Sequence, residues 1–471
     1  MIDFHTLTPW IKGFVSLYLV IEALFYVCYS YYLVPKANQL REPPPYRDYG
    51  NDRHKLLIRI MKRIRETCEL DNEDVKNRMV RFLRQWFHKS PNSLYAQEPD
   101  LSPSPSSSPE NSDDEDDLQK RQPVLFKEDM DDFFSWAFFG KRRNTLHGWE
   151  EKELDRIYHE LKQAHNLVFP PKSKEVFSHH FTPRCMTLEP LNAIHRPLLV
   201  YIIVYIIKIC GGMVLRAFGY HRILTSTGLV GWYKPAEDSQ TKSMPLLFFH
   251  GIAPGGLFLY LPMVLSTFGS GQDRPIFLFE NRAISCALDF APLTEQQTID
   301  GIVEVLQRYG YENSNLSLVG HSFGSCPITW VLASRRLPNI KQIVLLDPVT
   351  ILLSDPDVMV NFLYADEISK IRMVASSELF TEYYLRRHFA WYNSELWLDA
   401  IPDTCQLLVC LAENDEIINA KNVKREIQRH SFGRLIYWQT VGHAAVVSSP
   451  TKWGEVKQAM LEQELKIIQA K

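Results

Sequence analysis

The chain has 471 residues, 45% hydrophobic and 23% charged, long enough for two or three cored units and too apolar for a wholly disordered protein. Lys+Arg 52 against Asp+Glu 55 leaves a net charge of -3, which excludes the global basic field that nucleic-acid binders use against phosphates. The 8 cysteines fall without CxxC pairs or Cys/His clusters, so the sequence implies neither a disulfide framework nor a metal site, and no other cofactor motif is present.

Residues 13–34 form an apolar run whose one charge is Glu22, with Trp10 at one end and Tyr29, Tyr31 and Tyr32 at the other. As a helix it would cross the ~30 Å hydrocarbon core with aromatic groups at both interfaces. A cleavable signal peptide fits less well, because Pro35-Lys36-Ala37-Asn38 follows in place of a small-residue cleavage site. Residues 1–35 are therefore read as a transmembrane anchor, with Glu22 as its costly feature. Only Lys12 precedes the run, whereas Lys36, Arg41, Arg47, Arg53 and Lys55 follow it. The positive-inside rule then makes the protein single-pass with the bulk of the chain on the cytosolic side. The endoplasmic reticulum or another endomembrane is the expected host.

Residues 36–196 read as a helical region that matches no family motif. Val75, Met79, Val80, Leu83 and Trp86 recur at helical spacing and predict a helix over 71–89; others are predicted over 127–139 and 150–164. Between them, about 97–122 is rich in Pro and Ser and then acidic, the composition of a disordered insert. Residues 197–217 are again apolar all round, interrupted by Lys208 and Gly211-Gly212. Such a helix is either membrane-associated, covered by protein, or a second span; its shortness favours the first two.

From residue 218 short apolar runs alternate with amphipathic helices, the texture of a mostly parallel sheet flanked by helices. Strands are expected over 245–250, 275–279, 316–319, 342–346, 406–411 and 435–439. Thr294-Glu295-Gln296-Gln297 reads as a capping box opening a helix.

After the third of these strands comes Gly320-His321-Ser322-Phe323-Gly324, a G-x-S-x-G turn leading into a helix. Glycines flank the serine because the turn is too tight for side chains there, and the strain lifts Ser322 Oγ off the sheet. A nucleophilic serine needs a base and an orienting acid, in the chain order Ser, acid, His. Asp415 follows the strand 406–411 and His443 follows the strand 435–439. Asp347, after the strand 342–346, is the alternative acid. His250-Gly251-Ile252 follows the first strand, so the backbone N–H groups of Ile252 and Phe323 would form an oxyanion hole.

The His250-Gly251 turn, Gly320 and Gly324 about Ser322, Asp415 and His443 together resemble the α/β-hydrolase superfamily over 218–471. The likeness is to its membrane-anchored serine esterases and lipases. It departs from the common pattern at Glu280-Asn281-Arg282-Ala283-Ile284-Ser285 and at Pro327, early in the helix after the serine. The resemblance implies an acyl-enzyme mechanism on a carboxylic ester. Residues 350–403 exceed an ordinary connection and read as a helical cap. Its Phe362, Tyr364, Phe380, Trp391 and Trp397 are the expected substrate pocket, which favours a lipid-like ester. An aminopeptidase or thioesterase with the same triad is the alternative, with Asp355, Asp357, Asp366 and Glu367 as possible amine-binding carboxylates. A non-catalytic membrane scaffold is the other. The expected partners are substrate and membrane, with no nucleic acid; protein partners stay open.

Overall fold

The computed structural model describes residues 8–89, 125–172, 181–237, 243–268, 274–365, 372–430 and 433–469. The acidic insert at 97–122 lies outside them.

Helix α1 (Pro9–Cys28) continues through a π turn to Ala37, and the apolar part of this helix is unburied. The helix expected over 71–89 is instead the end of one helix, a second helix and a strand. Helix α2 (His54–Asp71) stops at Asn72, which takes the left-handed conformation (φ 53°). Asp74 then caps α3 (Val75–Arg84) by accepting the N–H of Asn77, the usual device for an orphan donor. Strand β1 (Phe87–Lys89) pairs antiparallel with β2 (Phe181–Pro183). Helices α4 (Lys127–Phe139) and α5 (Trp149–His165) complete this N-terminal region.

Helix α6 (Leu198–Ala217) leads into strands β3 (His221–Leu224), β4 (Val230–Lys234), β5 (Leu246–Phe249), β6 (Ile276–Glu280), β7 (Leu316–His321), β8 (Ile340–Leu346), β9 (Gln406–Ala412) and β10 (Arg434–Trp438). They form one sheet in the order β10-β9-β8-β7-β5-β6-β4-β3, parallel from β6 to β10 and antiparallel at β4 and β3. This is an α/β-hydrolase-like fold. Its crossover helices include α7 (Leu261–Thr267), α8 (Glu295–Arg308), whose Thr294–Gln297 capping box is formed on both sides, and α9 (Ser325–Ser334).

The register positions everything that matters chemically. Phe249 lies opposite Gly320, His321 opposite Leu346, Leu346 opposite Cys410, and Ala412 opposite Trp438. The carboxyl ends of β5, β7, β8, β9 and β10 thus finish near one line. Whatever follows them in sequence is delivered to one edge of the sheet. The central strands are buried on both faces, which explains their unbroken apolar runs.

Between β8 and β9 lie the cap helices α10 (Asp357–Leu363) and α11 (Leu379–Arg387), and the N-terminal region packs on them. Tyr46 stacks on Tyr392 at 3.8 Å between centroids, and Arg47 donates to the Asn393 carbonyl. The buried Arg63 guanidinium pairs with Glu395 at 2.6 Å and Asp355 at 2.5 Å, and also donates to Ser354. Leu56, Phe134, Ile157, Phe323 and Leu407 belong to one continuous apolar cluster.

Removing one member of a buried ion pair strands its partner's charge, at about 3–5 kcal/mol. Arg63→Ala should destabilise the protein by that order in urea unfolding. Arg63→Met combined with Glu395→Gln should cost clearly less than the two single changes added together.

Candidate active site

Residue Ser322 begins where β7 ends. Its φ of +51° is a left-handed conformation that a side chain occupies only under constraint. The constraint is the closeness of α9 to the sheet. A Cβ on Gly324 would lie 2.1 Å from the Phe249 carbonyl oxygen, and one on Gly320 would lie 2.6 Å from the Gly324 carbonyl oxygen. Both positions must be glycine for the turn to close. Pro327 is the third residue of α9, where a backbone N–H has no intrahelical acceptor, so the helix loses nothing.

The His443 Nε2 atom lies 2.9 Å from Ser322 Oγ, and its Nδ1 lies 2.6 Å from Asp415 Oδ2. The other Asp415 oxygen accepts the N–H groups of Ile417 and Ile418 at 2.8 and 2.9 Å. That carboxylate is therefore fixed from behind while it faces the imidazole. The loop that carries His443 is tied down along its length. Glu413 accepts the N–H of Thr440, Glu416 that of His443, and Asp347 that of Ala444. Burial alone would lower the His443 pKa, but the charge and hydrogen bond of Asp415, with Asp347 and Glu416 beyond, more than offset it and raise the pKa.

The alternative acid, Asp347, is fully buried and does not contact Nδ1 of His443. Its two oxygens accept the N–H of Ala412, at the end of β9, and of Ala444 at 3.2 Å. It clamps the histidine loop to the strand that precedes Asp415. Burial pushes its pKa up to about 7; the Asp415 charge adds to that, and His443 and the two backbone bonds work against it.

The His250–Ile252 turn is held by side chains beneath it. His250 Nε2 accepts the N–H of Asn281 at 2.9 Å, so Nδ1 carries the proton and donates to the Gly251 carbonyl. Desolvation lowers its pKa to about 4 and keeps the ring neutral. Tyr260 Oη accepts the N–H of Gly251 and lies 2.8 Å from His321 Nδ1. The Glu280–Ser285 segment that departs from the common superfamily pattern supplies a brace here: Ser285 Oγ donates to the Asn281 carbonyl, and Ile284 accepts the N–H of Ala253.

Ser322, Ile252 and Phe323 open onto one pocket. Of the five expected lining residues, Phe362 and Trp391 are in its wall, with Val349, Leu353, Met359, Leu385 and Phe389. Three are not. Tyr364 turns to Glu189 and Arg386, Phe380 is buried against Phe290 and Tyr201, and Trp397 faces the Arg59 guanidinium at 4.3 Å. In their place stand Trp86, Trp136 and Met186, from the N-terminal region. A signal for Trp136 exists in α4, where Phe133, Phe134, Trp136, Phe138 and Phe139 are apolar on more than one face, more than a helix needs to attach itself once; Trp86 and Met186 have none.

No protein-family model matches the chain, and no curated protein matches it. Solved structures resemble it at low identity. A carboxylesterase of the thaumarchaeon Nitrososphaera gargenis is 16% identical over 52% of this chain and 99% of its own, at a TM-score of 0.37. A thermophilic esterase from Thermogutta terrifontis is 14% identical over 53% and 98%, at 0.38. A carboxylesterase from Bacillus subtilis is 11% identical over 56% and 97%, at 0.37. These likenesses are too distant to bear on activity, so the functional reading stands on the site itself.

The imidazole of His443 should titrate above the ordinary value near 6.5 when followed by NMR. Asp415→Asn should bring its pKa down, since the partner that favours the imidazolium is then uncharged. Asp347→Asn, which keeps the shape but has no direct bond to the ring, should move it less.

Proposed function

We propose that the protein is a membrane-bound serine hydrolase that cleaves a carboxylic ester, lipid-like in character, through an acyl-enzyme. The observation that carries this reading is the hydrogen-bonded series Asp415–His443–Ser322 at the mouth of an apolar pocket. Ser322 Oγ attacks the ester carbon while His443 Nε2 takes its proton. Asp415 holds Nδ1–H and stabilises the imidazolium. The N–H groups of Ile252 and Phe323, with the first turn of α9 behind, face the oxyanion. The alcohol leaves with the proton from His443, and water repeats the sequence to free the acid.

The ester reading draws support from the pocket wall, where Ser322 is joined by aromatic and aliphatic side chains. The aminopeptidase alternative needs a carboxylate free to bind an amine. Asp355 is already paired with Arg63, Asp357 is hydrogen-bonded to Asn419, and Asp366 and Glu367 lie outside the described residues. Membrane attachment draws on α1 and its basic flank. Glu22, costly in mid-bilayer, accepts the N–H of Leu198 at 2.9 Å and so serves the positive end of α6. On this reading α1 anchors the chain and the catalytic side is cytosolic.

A fluorophosphonate probe should label the membrane-fraction protein at Ser322, and Ser322→Ala should abolish both labelling and hydrolysis of p-nitrophenyl esters. His443→Ala should cost nearly as much, and the double change little more, because the groups act as a unit. Absence of labelling in the folded protein would reject the hydrolase in favour of a scaffold.

Each buried methylene of the acyl chain adds at most about 0.8 kcal/mol, close to fourfold in kcat/KM. Turnover should therefore climb from acetate to medium-chain esters. Trp136→Ala or Trp391→Ala should flatten that slope more than it lowers acetate turnover, whereas Trp397→Ala should leave the slope unchanged. A wild-type profile that peaks at acetate would reject the lipid-like substrate.

A further inference from the structure

We propose that α6 lies in the plane of the membrane, half-immersed, with the oxyanion turn resting on its inner face. This deepens the membrane reading above and rests on it.

The helix has two faces. Tyr201, Val204, Lys208, Gly211 and Leu215 recur at spacings of three and four, so they share one side, and all of them meet the body of the protein. Tyr201 donates to Glu378 of the cap, and Lys208 pairs with Glu280 at the end of β6, at 2.5 Å. A Cβ on Gly211 would strike the Phe258 ring at 2.3 Å, and one on Gly212 would lie 3.2 Å from Trp232. The opposite side, through Ile203, Ile206, Cys210 and Met213, is exposed and wholly apolar.

The buried stripe decides the orientation. From Tyr201 to Leu215 the body accompanies α6 for about 21 Å, most of a helical span. If α6 stood across a bilayer, Glu280, Glu378 and the irregular backbone from Gly251 to Tyr260 would be carried into the hydrocarbon beside it. Charged groups and open loops are not stable there. With α6 in the plane, the same groups stay on the aqueous side and the apolar side alone is immersed, by ~5–10 Å. Lys208 is turned inward and neutralised, and Arg216, in the last turn, lies over the Trp232 ring of the protein body at 5.6 Å.

Lipid is the occupant of the exposed side because that surface is continuous with α1. The two helices meet where Glu22 accepts the N–H of Leu198 and where Phe25 packs on Tyr201 at 5.9 Å between centroids. Ahead of that contact, from Pro9 to Ile21, α1 rises about 20 Å. An α6 immersed by ~5–10 Å brings the total depth close to the ~30 Å hydrocarbon core. The consequence for the site is direct. Ile207 stands 3.4 Å from where a Cβ on Gly255 would be, and Phe258 fills the notch at Gly211, so the segment that carries Ile252 touches the membrane helix.

The test uses full-length protein in phosphatidylcholine vesicles with a bimane label at one thiol. With Cys28 and Cys185 changed to Ser, the label sits at native Cys210 or, with Cys210 also changed to Ser, at Ile203→Cys, Ile206→Cys or Met213→Cys. Vesicles carry a doxyl quencher either near the headgroup or near the chain end. The in-plane helix predicts stronger quenching by the shallow lipid at all four positions. Deep quenching strongest at mid-helix would mean a span and overturn the proposal. No quenching on protein that floats with vesicles would mean that protein covers this face, and would also overturn it. Failure to float would remove membrane residence itself. Hydrolysis of a soluble short ester by the same labelled proteins reports separately on the hydrolase reading.

Discussion

The constraint on which the site depends is the approach of two pieces of backbone at the end of β5. Gly324, entering α9, sits so near the Phe249 carbonyl that no side chain fits between them. That approach forces Ser322 into a left-handed conformation and sets its Oγ above the sheet. It also brings the start of α9 beside the His250–Ile252 turn, because β5 and β7 are adjacent and in register. Relaxing the contact by one methyl group would separate the serine from the turn that faces it. The elbow, the His250–Ile252 turn and the pocket floor are therefore one mechanical unit.

Around that unit, charge is spent on holding backbone. Four carboxylates, Asp347, Glu413, Asp415 and Glu416, gather at the ends of β8 and β9, a concentration that would repel itself in a sheet edge left to water. Each is occupied by main-chain N–H groups or by the imidazole. The division of labour follows from geometry. Asp415 turns one oxygen to its own loop and the other to His443. Asp347 gives both of its oxygens to N–H groups on either side, and so fixes the distance between the acid strand and the histidine loop. Its raised pKa follows from the same enclosure, since nothing but backbone dipoles and an imidazole stands in for the water it has lost.

The parts legible in the sequence are those decided within a few residues. The G-x-S-x-G turn, the glycine turn after β5 and the two residues after β9 and β10 are local chemistry attached to strands whose apolar runs announce them. The strands β3 and β4 escape notice because β3 is four residues long, begins His221-Arg222, and has two of its first residues exposed at the sheet edge. The break at Asn72 is likewise invisible to periodicity, since an apolar stripe continues across it in α3. The pocket wall fails for a different reason. Aromatic residues in the cap are equally suited to line a cavity, to cover an arginine or to meet another helix, and Phe362, Trp397 and Phe380 do these three things respectively. Only long-range packing chooses among them, and that same packing brings Trp86 and Trp136 from a region with no motif of its own.

The N-terminal region and the cap are best understood as a single lid assembled from distant parts of the chain. Arg63 reaches Glu395 and Asp355, Tyr46 stacks on Tyr392, and the Arg47 backbone N–H donates to Asn393. Without α2 the two cap carboxylates would be buried without a cation, and without α4 the pocket would lose one wall to solvent. An apolar cavity open to water on one side offers an acyl chain little gain, because half of its surface stays hydrated. Trp86, Trp136 and Met186 close that side of the pocket with apolar surface. The 36–196 region thus bears on the site through hydration: it contributes none of the proposed reacting groups, and its side chains keep water from one wall of the pocket beside Ser322.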